Sequence, residues 1–378
     1  MNDRTHLRAG PFILAVAVAV AVVLSAPVVG QIRGWIRSAF PGRFVLIVGA
    51  IGAVLLAAAL VAAAFRIRER RALRYGAIAA AIAIAVIYSA LNPSDTPESI
   101  AVERFHFLEY GLITFLFYRA WRPLGDLSIL LLPILAGLIA GTAEEWLQWF
   151  IPNRVGELRD IFLNLAAIVS GLLFSVAVDP PARFAATLSR ASAARVLRLA
   201  AATVIVLAAF LHAVHLGYEI VDPDIGSFMS RYAPDQLPAL QGEKARGWST
   251  RPPPLVLQRI SREDQYLSEG LAHVRWRNKR WDAGDVGAAW NENRILEKYF
   301  VPVLDTPTYE GKQGHRWPAE QRADAEARAA AAPSAVPYVS AAYPNRLYTW
   351  RKSMFWSVVG VLATCLVALG RRRRSLTP

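Results

Sequence analysis

The stretch EEWLQWFIPNRVGELRDIFLN, residues 144–164, separates two long apolar runs of this 378-residue chain and decides its fold. It carries four acidic residues, two arginines, one glutamine and two asparagines. Each flanking run approaches the ~20 apolar residues that cross the hydrocarbon core of a bilayer. Charged groups at membrane depth are costly, so this stretch predicts a polar site with a specific role.

The composition excludes an ordinary soluble domain, because 54% of the residues are hydrophobic and only 19% are charged. The net charge of +13 does not predict a nucleic-acid partner, since the arginines lie in short clusters beside apolar runs. The single cysteine, Cys365, excludes a disulfide framework and a thiolate metal cluster. Neither a zinc-binding spacing nor a glycine-rich phosphate loop is present, so we predict no metal and no cofactor.

The apolar runs predict an all-α polytopic membrane protein with about eight transmembrane helices. The predicted spans are residues 11–29, 44–65, 76–91, 105–121, 127–150, 158–178, 197–217 and 354–370. The first run also resembles a signal peptide, because Arg4 and Arg8 precede it and residues 24–26 resemble a cleavage site. Pro27 directly after that site, and an apolar run that continues past it, favour an uncleaved anchor.

Arginine clusters orient the predicted spans, because short cytoplasmic loops collect lysine and arginine. One cluster occupies the second loop, within residues 66–74, and another lies at residues 371–374. Counting spans from either cluster places both termini in the cytoplasm, and it places residues 144–164 near the outer surface. Arg33, Arg37 and Arg43 in the first outer loop oppose this topology, but more weakly than the two clusters support it.

The predicted domains follow from these spans. Residues 1–75 form two N-terminal helices, 76–178 a four-helix membrane core, 179–217 a cytoplasmic linker and seventh helix, 218–352 an extracytoplasmic domain, and 353–378 an anchor with a basic tail. The outer domain is predicted to be partly helical, because apolar residues recur at helical spacing over residues 261–299. Residues 222–224, Asp-Pro-Asp, predict a turn, and residues 319–335 an exposed helix or linker.

Helical geometry brings polar side chains of several spans to one depth. His106 and Glu109 share a face near the start of the fourth span, because they are three residues apart. Glu145 lies about 27 Å along the fifth span at 1.5 Å per residue, and therefore near the same boundary. Asp160 opens the sixth span, and Asn164 lies one turn below it. His212 and His215 reach this level at the end of the seventh span, but whether they face the cluster stays open.

Four motifs in residues 76–178 resemble the VanZ-like family of bacterial membrane proteins. They are His-x-x-Glu-Tyr at 106–110, Glu-x-x-Gln at 145–148, Pro-x-Arg at 152–154 and Asp-x-x-x-Asn at 160–164, in the family's order. Asn153 and Ala167 stand where the family often has glycine, which puts close helix packing in doubt.

The resemblance implies a location in the bacterial cytoplasmic (inner) membrane and a role at the cell envelope. The family is named for a protein associated with low-level resistance to teicoplanin, a glycopeptide that acts on the cell wall. Its biochemical activity is not generally established. The resemblance selects Glu145, Gln148, Arg154, Asp160 and Asn164 as site residues, and it leaves Glu144, Glu157 and Arg159 as solvated neighbours.

The candidate residues allow more than one chemistry. The catalytic candidates are His106, Glu109, Glu145 and Asp160, and the ligand-binding candidates are Tyr110, Gln148, Arg154 and Asn164. His106 and Glu109 predict either a proton-transfer pair or a hydrogen-bonded link between helices. Glu145 and Asp160 predict a general acid and base, cation ligands with His106, or a structural network with Arg154. Arg154 itself predicts either a phosphate contact or an interfacial anchor.

Three functions are consistent with these residues. The first is a binding module whose polar pocket in the outer leaflet recognises a membrane lipid, a lipid-linked cell-wall precursor or a glycopeptide-related ligand. The second is an enzyme that acts on such a lipid by acid/base or metal-assisted chemistry. The third is a scaffold whose polar cluster only holds helices together while the outer domain recruits a protein partner.

Overall fold

The computed structural model describes residues 9–92, 96–151, 156–250, 264–308, 310–332, 336–343 and 346–375. Its helices are α1 Ala9–Ala39, α2 Phe44–Arg66, α3 Arg71–Leu91, α4 Pro97–Trp121, α5 Ser128–Gln148, α6 Leu158–Val178, α7 Arg190–Val214, α8 Gln236–Thr250, α9 Gln265–Asp282, α10 Val286–Tyr299, α11 Val301–Asp305, α12 Ala319–Ala331 and α13 Lys352–Ser375. Two strands, β1 Tyr218–Asp222 and β2 Gly226–Ser230, pair as an antiparallel hairpin. The chain divides into two compact units, residues 1–149, 155–211 and 355–378, and residues 150–154 and 212–354.

Seven helices in the described ranges are long and apolar enough to cross a membrane: α1, α2, α3, α5, α6, α7, and α13 over Lys352–Arg371. They indicate a multi-pass membrane protein and confirm the helical class. α4 is outside this set, because polar and charged residues such as Glu103, Arg104 and Glu109 interrupt its apolar run. The count of eight spans therefore stays a prediction.

The helix boundaries agree with the predicted spans most closely at α6, which covers residues 158–178 as expected. α5 ends at Gln148, two residues before the predicted end of its span. α1 continues to Ala39, ten residues past the predicted end, with Pro27 inside it. The apolar run marks which residues suit a membrane, whereas the helix also includes the polar turns that follow.

Small residues let α4 and α6 approach closely in the first unit. A Cβ atom added to Gly171 on α6 would lie 2.6 Å from the Cα atom of Gly111 on α4. Ala167, one turn earlier on α6, is fully buried. Alanine at this position is therefore compatible with close packing, and Gly171 supplies the tightest contact between the two helices.

Two arginines and a tyrosine contact the C-terminal end of α6. Arg74 on α3 donates to the backbone oxygens of Ala177 and Val178, at 2.5 and 2.8 Å. Tyr118 on α4 donates to the Asp179 backbone oxygen at 2.9 Å, and Arg122 pairs with the Asp179 carboxylate. These contacts satisfy carbonyl groups that a helix C-terminus leaves unpaired, and they place positive charge there.

The second unit packs its hairpin and helices around one apolar core. Phe228, Leu271, Ile295 and Phe300 are among the core residues, and each is almost fully buried. The predicted turn at residues 222–224 connects β1 to β2, and the Asp222 carboxylate accepts from the Asp224 backbone N–H.

The stretch predicted to be helical, residues 261–299, contains two helices, α9 and α10. Gly284 lies between them with φ +78°, a left-handed conformation that ends a helix and favours glycine. Asp285 then caps α10 by accepting from the Ala288 backbone N–H. Residues 261–263 lie outside the described part of the chain.

The predicted helix at residues 319–335 is present as α12. Residues 333–335 lie outside the described part of the chain. Most residues of α12 are exposed, as expected, while Ala325 is fully buried and Arg322 pairs with Glu297 on α10 at 2.8 Å. The Arg322 guanidinium also lies 5.2 Å from the centre of the Trp290 ring. α12 is therefore part of the packed unit rather than a linker.

Candidate functional site

The candidate site is a cluster of polar side chains where α4, α5 and α6 pack together. Two glycines on α5, Gly137 and Gly141, let side chains of α4 and α6 approach the α5 backbone closely. A Cβ atom on Gly137 would lie 2.8 Å from Ile168 on α6. A Cβ atom on Gly141 would lie 3.1 Å from the Asn164 side chain and 3.3 Å from the Tyr110 ring. Asn164 and Tyr110 therefore come together across a strip of α5 that has no side chain.

Tyr110 and Glu144 form the central hydrogen bond of the cluster. The Tyr110 hydroxyl donates to Glu144 Oε2 at 2.5 Å, and this connects α4 to α5. Tyr110 has no exposed surface, and Glu144 is 6% exposed. A buried phenol and a buried carboxyl group each need a partner, and this contact supplies one for both.

Gln148 connects the two neighbouring glutamates at the end of α5. Its Nε2 lies 3.1 Å from Glu145 Oε1 and 3.4 Å from Glu144 Oε1. Glu145 is 1% exposed, and its Oε2 also accepts from the Glu157 backbone N–H at 3.4 Å. Gly156 lies directly against the Glu145 carbonyl oxygen, where a Cβ atom would clash. The start of α6 is thereby held over the end of α5.

Asn164 is the polar residue of α6 in this cluster, and it is 1% exposed. Within the described part of the chain, neither its Oδ1 nor its Nδ2 has a hydrogen-bond partner. A buried polar group without a partner costs about 1–3 kcal/mol. The amide therefore offers one acceptor and a donor group beside Tyr110.

His106 and Glu109 lie next to this network on α4. His106 Nδ1 is 3.3 Å from Glu109 Oε2, and both side chains are largely buried. The His106 ring centre is 6.2 Å from that of Tyr110. The predicted pair is therefore present, with the imidazole ring near the central hydrogen bond.

The other predicted site residues are Asp160, Arg154, His212 and His215. Asp160 lies in the first turn of α6 and is half-buried. Arg154, with the turn at residues 152–154, lies outside the described residues. His212 and His215 belong to the second unit, where His215 Nδ1 lies 2.8 Å from the Arg346 backbone oxygen. Arg231 donates to the His212 backbone oxygen in the same unit.

The position of Glu144 contradicts one prediction. We expected Glu144 to be a solvated neighbour, but it is buried and accepts the Tyr110 hydrogen bond. Its position was readable from helical spacing, because Gly141, Glu144 and Gln148 lie three and four residues apart on one face of α5. Arg159 is exposed, as expected, and pairs with Glu103 at 2.8 Å.

The described residues contain no group of three or more His, Cys, Asp or Glu side chains arranged to hold a metal ion. The polar network between α4, α5 and α6 belongs to the first unit, which contains α1–α6 and is called the membrane unit below. This network consists of carboxyl, amide, phenol and imidazole groups. Such groups can donate and accept hydrogen bonds with a polar ligand, and they can transfer protons.

Comparison of the chain with models of protein families, with curated proteins and with solved structures found no match.

Proposed function

We propose that this chain is a VanZ-like integral membrane protein of the bacterial cytoplasmic membrane. Its polar cluster between α4, α5 and α6 binds a hydrogen-bonding group of an envelope lipid or a cell-wall-related ligand at the outer leaflet. The observation that carries this proposal is Asn164, a buried amide whose two polar atoms have no partner in the described ranges.

A ligand supplies what Asn164 lacks. A hydroxyl, amide or phosphate group beside Asn164 would accept from Nδ2, and the first two would also donate to Oδ1. Sites built in this way discriminate strongly against ligands without the matching group, because the buried protein atoms then stay unpaired. An unpaired amide in a packed helix contact is therefore better explained by recognition than by stability.

The neighbouring network supports the proposal by holding the site rigid. Tyr110 and Gln148 hold the two adjacent glutamates, and Gly111 against Gly171 sets the distance between α4 and α6. A preorganised site loses less conformational entropy when it binds its ligand. Arg154 remains the predicted contact for an anionic group of that ligand.

Binding is tested with the full chain purified in detergent. The probes are teicoplanin, a lipid-linked cell-wall precursor and phosphatidylglycerol, each titrated while the melting temperature is recorded. We expect one of them to raise the melting temperature in a saturable way, because a ligand stabilises the state that it binds. Glu145→Gln should reduce the shift strongly, whereas Glu69→Gln, at an exposed glutamate between α2 and α3, should leave it unchanged.

The outcomes separate binding from a purely structural role. If none of the probes shifts the melting temperature, the proposed ligand class is wrong. If Glu145→Gln lowers the stability of the ligand-free chain but preserves the shift, the cluster serves only to hold the helices together, as the scaffold hypothesis predicts.

A second candidate function is an enzyme that acts on a lipid-linked precursor, and the His106–Glu109 contact favours it. A carboxylate beside an imidazole fixes the ring orientation and supports its use as a general base. Product formation that is lost in His106→Ala, while ligand binding persists, would identify the enzyme. If the chain binds the same precursors but forms no product from them, the enzyme hypothesis is wrong and the binding-module hypothesis is retained.

A further inference from the structure

The interior of the second unit holds three titratable side chains that the proposed membrane site does not use. Glu269 and His273 lie one turn apart on α9, and Glu292 lies on α10. Their exposed fractions are 1%, 1% and 0%. Ionisable side chains this deeply buried are rare unless they are paired.

His273 and Glu292 form one pair within this group. His273 Nδ1 lies 2.6 Å from Glu292 Oε2, and the Tyr338 hydroxyl donates to Glu292 Oε1 at 2.5 Å. The His273 ring is packed between Phe228 and Phe300, at centre distances of 5.4 and 5.3 Å. Glu292 therefore has two partners, and His273 directs one nitrogen to it.

Glu269 has different partners on the other side of α9. Its Oε2 accepts from the Ser230 hydroxyl at 2.7 Å, and its Oε1 accepts from the Arg231 backbone N–H at 2.8 Å. The charged or titratable groups facing it are His273 and Tyr266 on its own helix, Arg231 after β2, and the phenol of Tyr343. Both hydrogen-bond donors are uncharged, and within the described part of the chain no cationic nitrogen hydrogen-bonds the Glu269 carboxylate.

The position of Glu269 disfavours its ionised form. His273 Nδ1 contacts Glu292, so this nitrogen is not directed at the Glu269 carboxylate. A charged carboxylate at Glu269 would lie in the buried core without an ion-pair partner among the described residues, which is costly. Burial accordingly raises the pKa of Glu269 to about 7, although its hydrogen bonds from Ser230 and Arg231 act in the opposite direction.

The sign of the resulting pH dependence follows from proton linkage. The folded unit binds the proton of Glu269 more tightly than an opened unit, in which the pKa is near 4.5. Stability is therefore greatest below about pH 4.5 and falls as the pH rises through about 7. Above that range the loss is constant, because Glu269 is ionised in both states.

We propose that Glu269, buried beside the His273–Glu292 pair, makes the core of the second unit proton-responsive, so that the unit is most stable in acidic medium and loosens as the medium becomes alkaline. This device is independent of the proposed ligand site in the membrane unit.

The test is hydrogen–deuterium exchange of the full chain in detergent, read in peptides from α9 and α10. Protection is measured between about pH 5 and about pH 8.5 and corrected for intrinsic exchange. We expect the opening equilibrium constant to rise by about 100-fold over this range, with a midpoint near the pKa of Glu269. In Glu269→Gln this dependence should be lost, because glutamine keeps the accepting oxygen but carries no titrating proton.

Two further variants make the result decisive. Glu326→Gln, at an exposed glutamate of α12, should keep the wild-type pH dependence. Ser230→Ala removes a hydrogen-bond donor that favours ionised Glu269, so the midpoint should move to higher pH. This variant still tests the proposal if Glu269→Gln fails to fold. A flat wild-type profile, a dependence that survives in Glu269→Gln, or an unmoved midpoint in Ser230→Ala would overturn the proposal.

Discussion

Each of the two units contains a tyrosine hydroxyl that donates a 2.5 Å hydrogen bond to a buried glutamate, Tyr110 to Glu144 and Tyr338 to Glu292. The surroundings differ. In the second unit, His273 Nε2 has no hydrogen-bond partner among the described residues, and its ring packs between Phe228 and Phe300. In the membrane unit, Asn164 lies against Gly141, where there is no side chain.

This difference separates two uses of buried polar groups. In the second unit the polar cluster lies among aromatic side chains, and we assign it a role in the pH dependence of stability. In the membrane unit the Asn164 amide lies beside the α5 backbone, and the proposed function assigns its polar atoms to a ligand. A buried network whose polar groups are paired helps to specify a core. Buried polar atoms without a partner, such as those of Asn164 among the described residues, require a separate explanation.

The largest effect should come from Gly171→Val, which tests whether the membrane cluster depends on helix approach. The added side chain meets the Gly111 backbone, which cannot rotate away, so we expect a loss of about 3 kcal/mol or failure to fold. Size-exclusion chromatography and thermal unfolding in detergent measure this. Gly49→Val is the control, because a Cβ atom there meets nothing within 4 Å. Equal losses in both variants would show that the Gly111–Gly171 contact is not special.

The two tyrosines provide a matched pair for the next effect. Tyr110→Phe and Tyr338→Phe each remove a donor from a buried glutamate and should each cost about 2 kcal/mol of unfolding free energy. Only Tyr110→Phe should also weaken ligand binding, measured by the melting-temperature shift. Equal losses of binding in the two variants would indicate that stability, and not the site, controls the shift.

Asp222 should show a pH dependence of opposite sign to that of Glu269. Burial alone would raise its pKa, but hydrogen bonds from Lys298 and Tyr299 outweigh this and lower it to about 2. Its contribution is therefore present above about pH 4 and is lost as the pH falls through about 2. We expect Asp222→Asn to cost about 1–2 kcal/mol at neutral pH and to flatten stability in that acidic window. A wild-type acid profile in the variant would contradict this assignment.

The smallest effect should come from the ion pair between Arg159 and Glu103, which lies outside both clusters. The Arg159 side chain is 41% exposed, and exposed pairs contribute little. Arg159→Ala should change the unfolding free energy by less than about 0.5 kcal/mol and leave ligand binding unchanged. Loss of binding in this variant would place Arg159 in the site, against its expected role as a solvated neighbour.

The membrane helices could be predicted because apolar run length and helical spacing are strong signals. α6 agrees with its prediction at both ends. The break at Gly284 was not predicted, because the apolar periodicity continues across it and only a positive φ interrupts the helix. The topology, the outer location of the second unit and the VanZ-like assignment stay predictions.

The candidate site was only partly predictable. Spacing identified His106 with Glu109, and the family resemblance selected residues such as Gln148 and Asn164 but left Glu144 as a solvated neighbour. Contacts between helices decide such cases: Tyr110 reaches Glu144 from α4, and no spacing within α5 reveals that partner. The Glu269–His273–Glu292 core depends likewise on residues from separate helices, and the sequence pattern did not indicate it.

The central claim is that the membrane cluster is a binding site, and Asn164→Ala tests it most directly. If Asn164 serves a ligand, removing its unpaired atoms should leave the ligand-free unfolding free energy unchanged or higher, while the affinity for the ligand falls at least about tenfold. The measurement is thermal unfolding of the full chain with and without the ligand identified in the titrations. A clear loss of ligand-free stability with unchanged affinity would contradict the claim and assign Asn164 to helix packing.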